Sequence, residues 1–285
     1  MLGIHIYLFF TTPFIMLYLI SYYRKIYYNY HDLTSILSNN DNILQSTNNN
    51  IPKYLFITHE NINAIDKSML INLKKKNHDW DIYFFTDNDR ISFLKKYYPQ
   101  YFYYYNLINN NYKAAKADFW RYIIIYHYGG IYIDSSVNVY TNLNDVILDQ
   151  NKLIVTKHHT AGYACKYAWN NILYWNWFFA APPKNIILKQ LIETIIYNIN
   201  NHHNYLPKIS PHFGIYLSCY NTFILTGPII FNKIISNYSK NYIHELEKNK
   251  IVYQKDKYEI LYFLKYILFN KSKTYHRTNN YILNI

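Results

Sequence analysis

With 285 residues and 51% hydrophobic composition, the chain can bury the core of one large domain, or of a domain with a small appendage. Two cysteines, Cys165 and Cys219, support neither a disulfide framework nor a zinc site; they either pair in an oxidising lumen or stay as two buried thiols. A formal charge of +12 favours anionic partners, but the densest basic run, Lys74-Lys75-Lys76, reads as a solvated helix end and no reader motif supports a nucleic-acid partner.

Residues 1–23 contain no Asp, Glu, Lys or Arg, and Arg24 and Lys25 follow at once. A stretch of that length approaches the ~20 residues that cross a bilayer as a helix. Residues 1–25 are therefore expected to form a single-pass membrane anchor. A cleaved signal peptide would need a basic leading segment and small residues at a cleavage site, and the stretch has neither. Its orientation stays open: the positive-inside rule puts the C-terminal side in the cytoplasm, whereas an enzyme of a Golgi- or ER-type lumen needs the reverse. The sequons at Asn237 and Asn270 do not settle it, since asparagine is abundant throughout. From residue 26 to 50 the sequence turns polar, ending in "SNNDNILQSTNNN", and reads as a stem or linker. The globular domain is expected over 51–285.

Within that domain strands and helices alternate. "YLFIT" (Tyr54–Thr58) predicts a buried strand, Asp66 to Lys76 a helix with an Asp start, and "DIYFFTD" (Asp81–Asp87) a second strand. Asp89 to Tyr98 predicts a helix stopped by Pro99, and Lys113 to Tyr128 another that ends at Gly129-Gly130. Ile131–Ile133 then forms a short strand running into Asp134. Further on, "KLIVT" and "NWFFAAPP" read as strands, Asn185 to Asn200 as a helix, and "TGP" (Thr226–Pro228) as a tight turn before an apolar helix. The alternation predicts an α/β fold with a mainly parallel sheet flanked by helices. Ligands of such sheets bind at the carboxyl ends of strands. Thr58, His59, Asp87 and Asp134 all fall at expected carboxyl ends.

Asp118 and Arg121 lie three apart on one helix face, so they meet as an ordinary ion pair or line the same crevice as Asp134. Asp134, followed by Ser135 and Ser136, is either the cap of a turn or a carboxylate with a task. Sugar transfer from a nucleotide donor supplies one: the leaving diphosphate concentrates negative charge that a divalent cation on oxygen ligands can neutralise.

The segments "IPKYLFIT", "WDIYFFTDND", "AAKADFWRYIIIYHYGGIYIDSSV", "NWFFAAPP" and "TGP" occur in an order and spacing that resembles the glycosyltransferases with a DxD sugar-binding region. These include the family 32 enzymes, the initiating α-1,6-mannosyltransferases of yeast, capsular-polysaccharide transferases and the large clostridial glucosylating toxins. The likeness runs from about residue 51 to 235. It implies a GT-A-like fold and transfer with retention of configuration. By position it implies that Asp118 and Arg121 hold ribose and donor-sugar hydroxyls, that Tyr132 lies near the diphosphate, and that Asp134 is the first DxD carboxylate. Ser136 stands where the second carboxylate, usually the direct metal ligand, would be. His59 falls where related enzymes often stack a tryptophan on the base. His276 is a candidate that returns from the C-terminal region to the metal, against the reading of a surface histidine in a polar tail.

The resemblance thus implies a hexosyltransferase, with Asp134, Arg121 and Asp118 as its catalytic group. A UDP- or GDP-sugar would be the donor, a glycan or other sugar the acceptor, and Mn2+ or Mg2+ on Asp134, Ser136 and His276 the cofactor. The serine leaves a second reading, a catalytically silent sugar- or nucleotide-binding member. A third, a basic membrane-surface or nucleic-acid-binding protein, would bind with a steep salt dependence and without need of Asp134.

Overall fold

Strand residues are buried on both faces, the mark of a sheet covered by helices on each side. The computed structural model describes residues 36–46, 49–157, 174–201, 222–247 and 282–283. Among these, six strands form one sheet: β1 (Tyr54–Thr58), β2 (Asp81–Phe85), β3 (Gly130–Ile133), β4 (Leu153–Lys157), β5 (Tyr174–Ala181) and β6 (Ile243–Glu247), in the order β2-β1-β3-β5-β4-β6. β1 pairs in parallel with β2 and β3, and β4 with β6, whereas β5 runs antiparallel to both β3 and β4. The mainly parallel expectation holds, with β5 the reversed strand.

Side-chain alternation divides the core into two halves. Phe56, Tyr83, Phe85, Tyr132 and Phe179 face one cluster, whose helical side is α2 (Asp87–Tyr97), α3 (Pro99–Leu107), α4 (Lys113–Tyr128), α5 (Ile186–Asn200) and α6 (Pro228–Ile235). Leu55, Ile57, Ile82, Ile131, Ile133 and Phe178 face the other, closed by α1 (Lys67–Lys76) and by the 143–147 stretch. Tyr132 therefore points toward α4, and this parity later places its ring under Arg121.

Two sequence boundaries need correction. The strand read as ending at Asp87 stops at Phe85, and the following helix starts at Asp87 rather than Asp89. The reason is a capping box: Thr86 Oγ1 accepts from the Asp89 amide (3.3 Å), and Asp89 Oδ2 accepts from the Thr86 amide (2.8 Å). Pro99 does end α2, but it also opens α3, a helix the sequence reading missed. Proline suits a first helical position, where the missing N–H has no intrahelical partner in any case.

Gly129 and Gly130 turn the chain from α4 into β3 with φ of 72° and 97°. A Cβ on Gly130 would lie 2.5 Å from the Tyr54 carbonyl oxygen, so no side chain fits beside β1 there. This turn brings Asp134 next to the helix that carries Asp118 and Arg121.

Part of the stretch read as stem lies against the sheet. Leu37 bridges to Ile82, Ser38 N–H donates to the Ile82 carbonyl (2.7 Å), and Asn40 Nδ2 donates to the Phe84 carbonyl (2.7 Å). Ile36 and Leu37 pack on one core cluster and Ile43 on the other. The segment covers the open edge of β2. Deleting residues 1–50 is therefore expected to cost about 2 kcal/mol more than deleting 1–35, from the lost apolar cover alone. Chemical denaturation of the two truncations measures the difference.

The expected anchor in residues 1–25 and the two cysteines lie outside the described residues. Among the described residues, no helix is long and apolar enough to cross a membrane.

Candidate functional site

The site grows from α4. Its length and glycine stop set Asp118 and Arg121 one turn apart, facing the reversed strand β5 and the end of β3. Arg121 is 5% exposed and Asp118 6%, so both charges are buried and each needs partners. The Nη2 group of Arg121 meets Asp118 Oδ1 at 2.9 Å and Asp134 Oδ1 at 3.0 Å. Its Nη1 donates to the Asn176 carbonyl (2.6 Å), and its guanidinium lies 4.3 Å from the centroid of the Tyr132 ring. The Tyr132 hydroxyl donates to Asp134 Oδ1 (2.8 Å). Arg121 thus ties α4, β3 and β5 together, and only its planar fork reaches all of these acceptors.

Asp118 is held from its other side. Asn176 Nδ2 donates to Asp118 Oδ1 (3.0 Å) and to the Tyr122 hydroxyl (2.8 Å), and that hydroxyl donates to the Thr226 carbonyl (2.8 Å). Thr226 Oγ1 lies 3.4 Å from Asp118 Oδ2. A Cβ on Gly227 would sit 3.3 Å from that same oxygen and 2.8 Å from the Phe223 Cα, so the glycine lets the "TGP" turn close over the carboxyl group. Burial pushes the Asp118 carboxyl up to about 7; Arg121 pulls it down, and the like charge of Asp134 adds to the rise. Arg121 stays protonated: burial works against its charge, but Asp134, Tyr132 and Asp118 outweigh it.

Asp134 is the member that faces outward, its side chain one-third exposed. It begins a turn in which its carbonyl accepts from the Val137 amide (2.9 Å), with Ser135 and Ser136 as the central pair. Of the two readings of the "D-S-S" string, the turn is closed by the Asp134 backbone, while its carboxylate joins the buried charge network. Ser136 is exposed, on the outside of this turn. Oδ1 of Asp134 is taken by Arg121 and Tyr132, while Oδ2 receives no bond among the described residues. One carboxylate oxygen at the rim, with a serine hydroxyl two residues on, fits a cation that takes its remaining ligands from phosphate and water. Among the described residues, no group of three or more His, Cys, Asp or Glu is placed to hold a metal ion. His276 lies outside the described residues.

Thr58, His59 and Asp87 belong to a neighbouring cluster at the ends of β1 and β2. The Thr58 hydroxyl donates to the Phe85 carbonyl (2.7 Å) and accepts from Arg90 Nη1 (3.0 Å); Arg90 Nη2 pairs with Asp87 Oδ1 (2.7 Å). Thr58 is 6% exposed, and its hydroxyl is used in welding the two strands. Asp87 keeps a partly open carboxylate. The Asn61 amide donates to His59 Nδ1 (3.1 Å), which folds the ring into its own loop. Lys116 closes this cluster from α4, with Nζ donating to Asn110 Oδ1 (2.6 Å) over the Tyr105 ring. Burial, and then the nearby Arg90, lower its pKa.

Of the residues expected from sequence, Asp118, Arg121, Tyr132 and Asp134 form one network. Thr58 and Asp87 form a second through Arg90, and Ser136 borders the first without a bond into it. Sequence reading missed Asn176, Thr226, Arg90 and Lys116. A signal existed for one of them: Asn176 interrupts the apolar run of β5, and a buried polar residue in such a run needs a partner.

Residues 65–154 match the family described as glycosyltransferase sugar-binding region containing DXD motif, a range that holds Asp87, Asp118, Arg121, Tyr132, Asp134 and Ser136. Inositol phosphoceramide mannosyltransferase 1 of Schizosaccharomyces pombe is 28% identical over 116 residues, 41% of this chain and 32% of the relative. The chain thus spans about a third of the length of the curated relative it matches. Among solved structures, the PaToxG glycosyltransferase is 17% identical with a TM-score of 0.46, covering 66% of this chain and 69% of that one. The glycosyltransferase GlyE of Streptococcus pneumoniae TIGR4 is 12% identical with a TM-score of 0.38, covering 76% of this chain and 51% of that one. Residues 65–154 are thus similar to the DXD-containing region of glycosyltransferases.

Proposed function

We propose that this chain is a nucleotide-sugar-dependent glycosyltransferase whose donor lies across the carboxyl ends of β2, β1 and β3. The observation that carries the reading is the shared ion pair: one buried guanidinium holds both Asp118 and the outward-facing Asp134. A structural ion pair needs one carboxylate. Here a second, Asp134, is one-third exposed just past the carboxyl end of β3, the end at which such sheets bind ligands.

Dimensions suit the donor. Asp134 follows β3 and Asp87 follows β2, two strand spacings away, or roughly 10 Å. A nucleoside diphosphate with its phosphates at Asp134 would place its base over β1 and β2, beside His59 and Asp87. Asp118, Asn176 and Arg121 then face the donor sugar: acceptor and donor groups that are fixed before the ligand arrives and cost little reorganisation. A UDP- or GDP-hexose as donor, a glycan or other sugar as acceptor, and retention of configuration complete the proposal. Anchoring through residues 1–25 in an intracellular membrane remains part of it.

The cation would rest on Asp134 Oδ2 and the Ser136 hydroxyl, and when bound it would neutralise charge on the departing diphosphate. The chain's own part is to orient the donor: Tyr132 and Arg121 fix the Asp134 carboxylate so that one oxygen stays turned outward. A hydroxyl adds no charge, so the cation should be held weakly.

One assay tests the reading. Incubate the protein with a panel of UDP- and GDP-sugars and Mn2+, and follow hydrolysis or transfer. Asp134→Ala is expected to lower turnover at least 100-fold, and Ser136→Asp to lower the Mn2+ concentration for half-maximal rate roughly tenfold, since it adds a charged ligand. Donor binding without turnover on any donor would leave the silent-module reading, and full activity in Asp134→Ala would remove the site assignment.

A further inference from the structure

Strand β5 outruns its neighbour β3. Ile133, the last residue of β3, pairs with Phe178, so Tyr174 to Trp177 continue past the end of β3. They stand beside Asp134, whose amide donates to the Trp177 carbonyl (2.9 Å). The two faces of this extension differ. Tyr174 belongs to the helical core cluster, and Asn176 bonds Asp118 and Tyr122 of α4. By alternation Trp175 and Trp177 point to the opposite side, the one closed by α1. A bulge then breaks the alternation: Thr156 of β4 pairs with Trp175 and the preceding Val155 with Phe179, four residues of β5 to one of β4. Trp177 therefore packs against the same cluster as its successor Phe178, their ring centroids 6.3 Å apart. Bulges beside active sites re-aim side chains in this way.

Trp177 is also unlike the tryptophans of the core. Trp80 and Trp120 are 2% and 0% exposed, whereas Trp177 is half-buried. Its indole Nε1 is neither buried nor hydrogen-bonded among the described residues. Val137, which closes the Asp134 turn, lies half-buried against the same cluster, and Ser136 beside it is exposed.

We infer that Trp177 is the platform on which the acceptor sugar stacks. A pyranose offers the two chemistries that this side chain takes: a face of polarised C–H groups for the negative ring face, and hydroxyl oxygens for the indole N–H. The placement rests on the transferase reading above, in which the base lies over β1 and β2 and the phosphates lie at Asp134. β5 borders Asp134 from the other side of β3, away from the base. Asn176 and Trp177 flank the end of β3 from the two faces of the sheet. A donor sugar against Asn176 and an acceptor against Trp177 then meet at Asp134.

The test uses the full chain in lipid nanodiscs, with its tryptophans labelled with 15N. Five indole signals are followed, and Trp177→Phe assigns the one in question. Methyl glycosides of glucose, galactose, mannose and N-acetylglucosamine are the probes. At least one of them should shift the Trp177 signal, while UDP or GDP alone should not. In transfer assays with the donor that turns over, Trp177→Leu should raise the acceptor KM at least tenfold and move the donor KM less than twofold. Trp177→Phe, which keeps a ring, should stay within threefold of the wild type for both. A Trp177 signal unmoved by every glycoside, or moved by the nucleotide alone, would overturn the inference. So would a wild-type acceptor KM in Trp177→Leu, since leucine keeps the apolar cover but has no ring. Turnover with a still indole signal removes the subsite and leaves the transferase reading in place. A glycoside shift without turnover on any donor leaves the sugar platform standing and removes the transferase.

Discussion

Arg121→Ala is expected to abolish sugar transfer and to lower stability by about 3–5 kcal/mol, the cost of removing one partner from a buried charge group. The size follows from what the side chain holds. It bonds Asp118, Asp134 and the Asn176 carbonyl and covers the Tyr132 ring, so its loss leaves two carboxylates within reach of each other and a carbonyl without its donor. Arg121→Lys should recover part of the stability but little activity, because an ammonium cannot meet three acceptors in the plane of a fork. Asp134→Ala makes the contrast. That side chain is one-third exposed and its removal still leaves Arg121 paired with Asp118, so stability should fall by only about 1 kcal/mol while turnover is lost. Denaturation and turnover measured together on the three variants separate the roles. Equal stability losses in Arg121→Ala and Asp134→Ala would show that Asp134 is a structural partner and not a rim residue waiting for a ligand.

Much of this arrangement could be read from the chain. Strands buried on both faces leave continuous apolar runs, and β1, β3, β4 and β5 were marked by them. Gly129-Gly130 announced the turn that aligns α4 with Asp134, because only glycine tolerates both the positive φ and the approach to Tyr54. The order of the strands could not be read, since β5 follows β4 in sequence but inserts between it and β3, a pairing made by tertiary contacts alone. α3 is hidden for a local reason: proline stops one helix and is equally good as the start of the next. Residues 36–46 read as linker because the stretch is polar, with too little apolar surface to fold alone. They find their partners on an existing sheet edge. In the site, spacing revealed Asp118 and Arg121 but not the residues that come from distant segments. Asn176 and Thr226 act on Asp118 across 58 and 108 positions of chain, and such contacts exist only once β5 and the "TGP" turn are in place.

The unusual acidity of Asp118 gives the second large effect, one of opposite sign to ordinary active-site mutation. Its carboxyl is pushed up to about 7 in the folded chain against an ordinary value of 3.8, so the folded state binds the extra proton between these limits. Where the folded state holds more protons, stability falls as pH rises. The penalty of ionising Asp118 is absent below about pH 4, grows through the acid range and is complete above about pH 7. From pH 5 to 8 it should reach about 3 kcal/mol at ~1.4 kcal/mol for each pH unit between 5 and 7. Asp118→Asn keeps the shape and cannot ionise, and it still permits the contacts to Asn176 and Thr226 after a rotation of the amide. At pH 5, where the wild type already carries the first ~1.6 kcal/mol of the penalty, the variant should lie within about 2 kcal/mol of it. At pH 8 it should be the more stable by a few kcal/mol, while losing most of its transfer activity because an amide no longer offers two acceptor oxygens to donor hydroxyls. Urea denaturation of both proteins at the two pH values isolates the effect, since other titrating groups cancel in the difference. A variant less stable than the wild type at pH 8 would mean that Arg121 overcomes burial and holds Asp118 ionised, and the site would then carry a fixed charge triad in place of a carboxyl that exchanges its proton near neutrality.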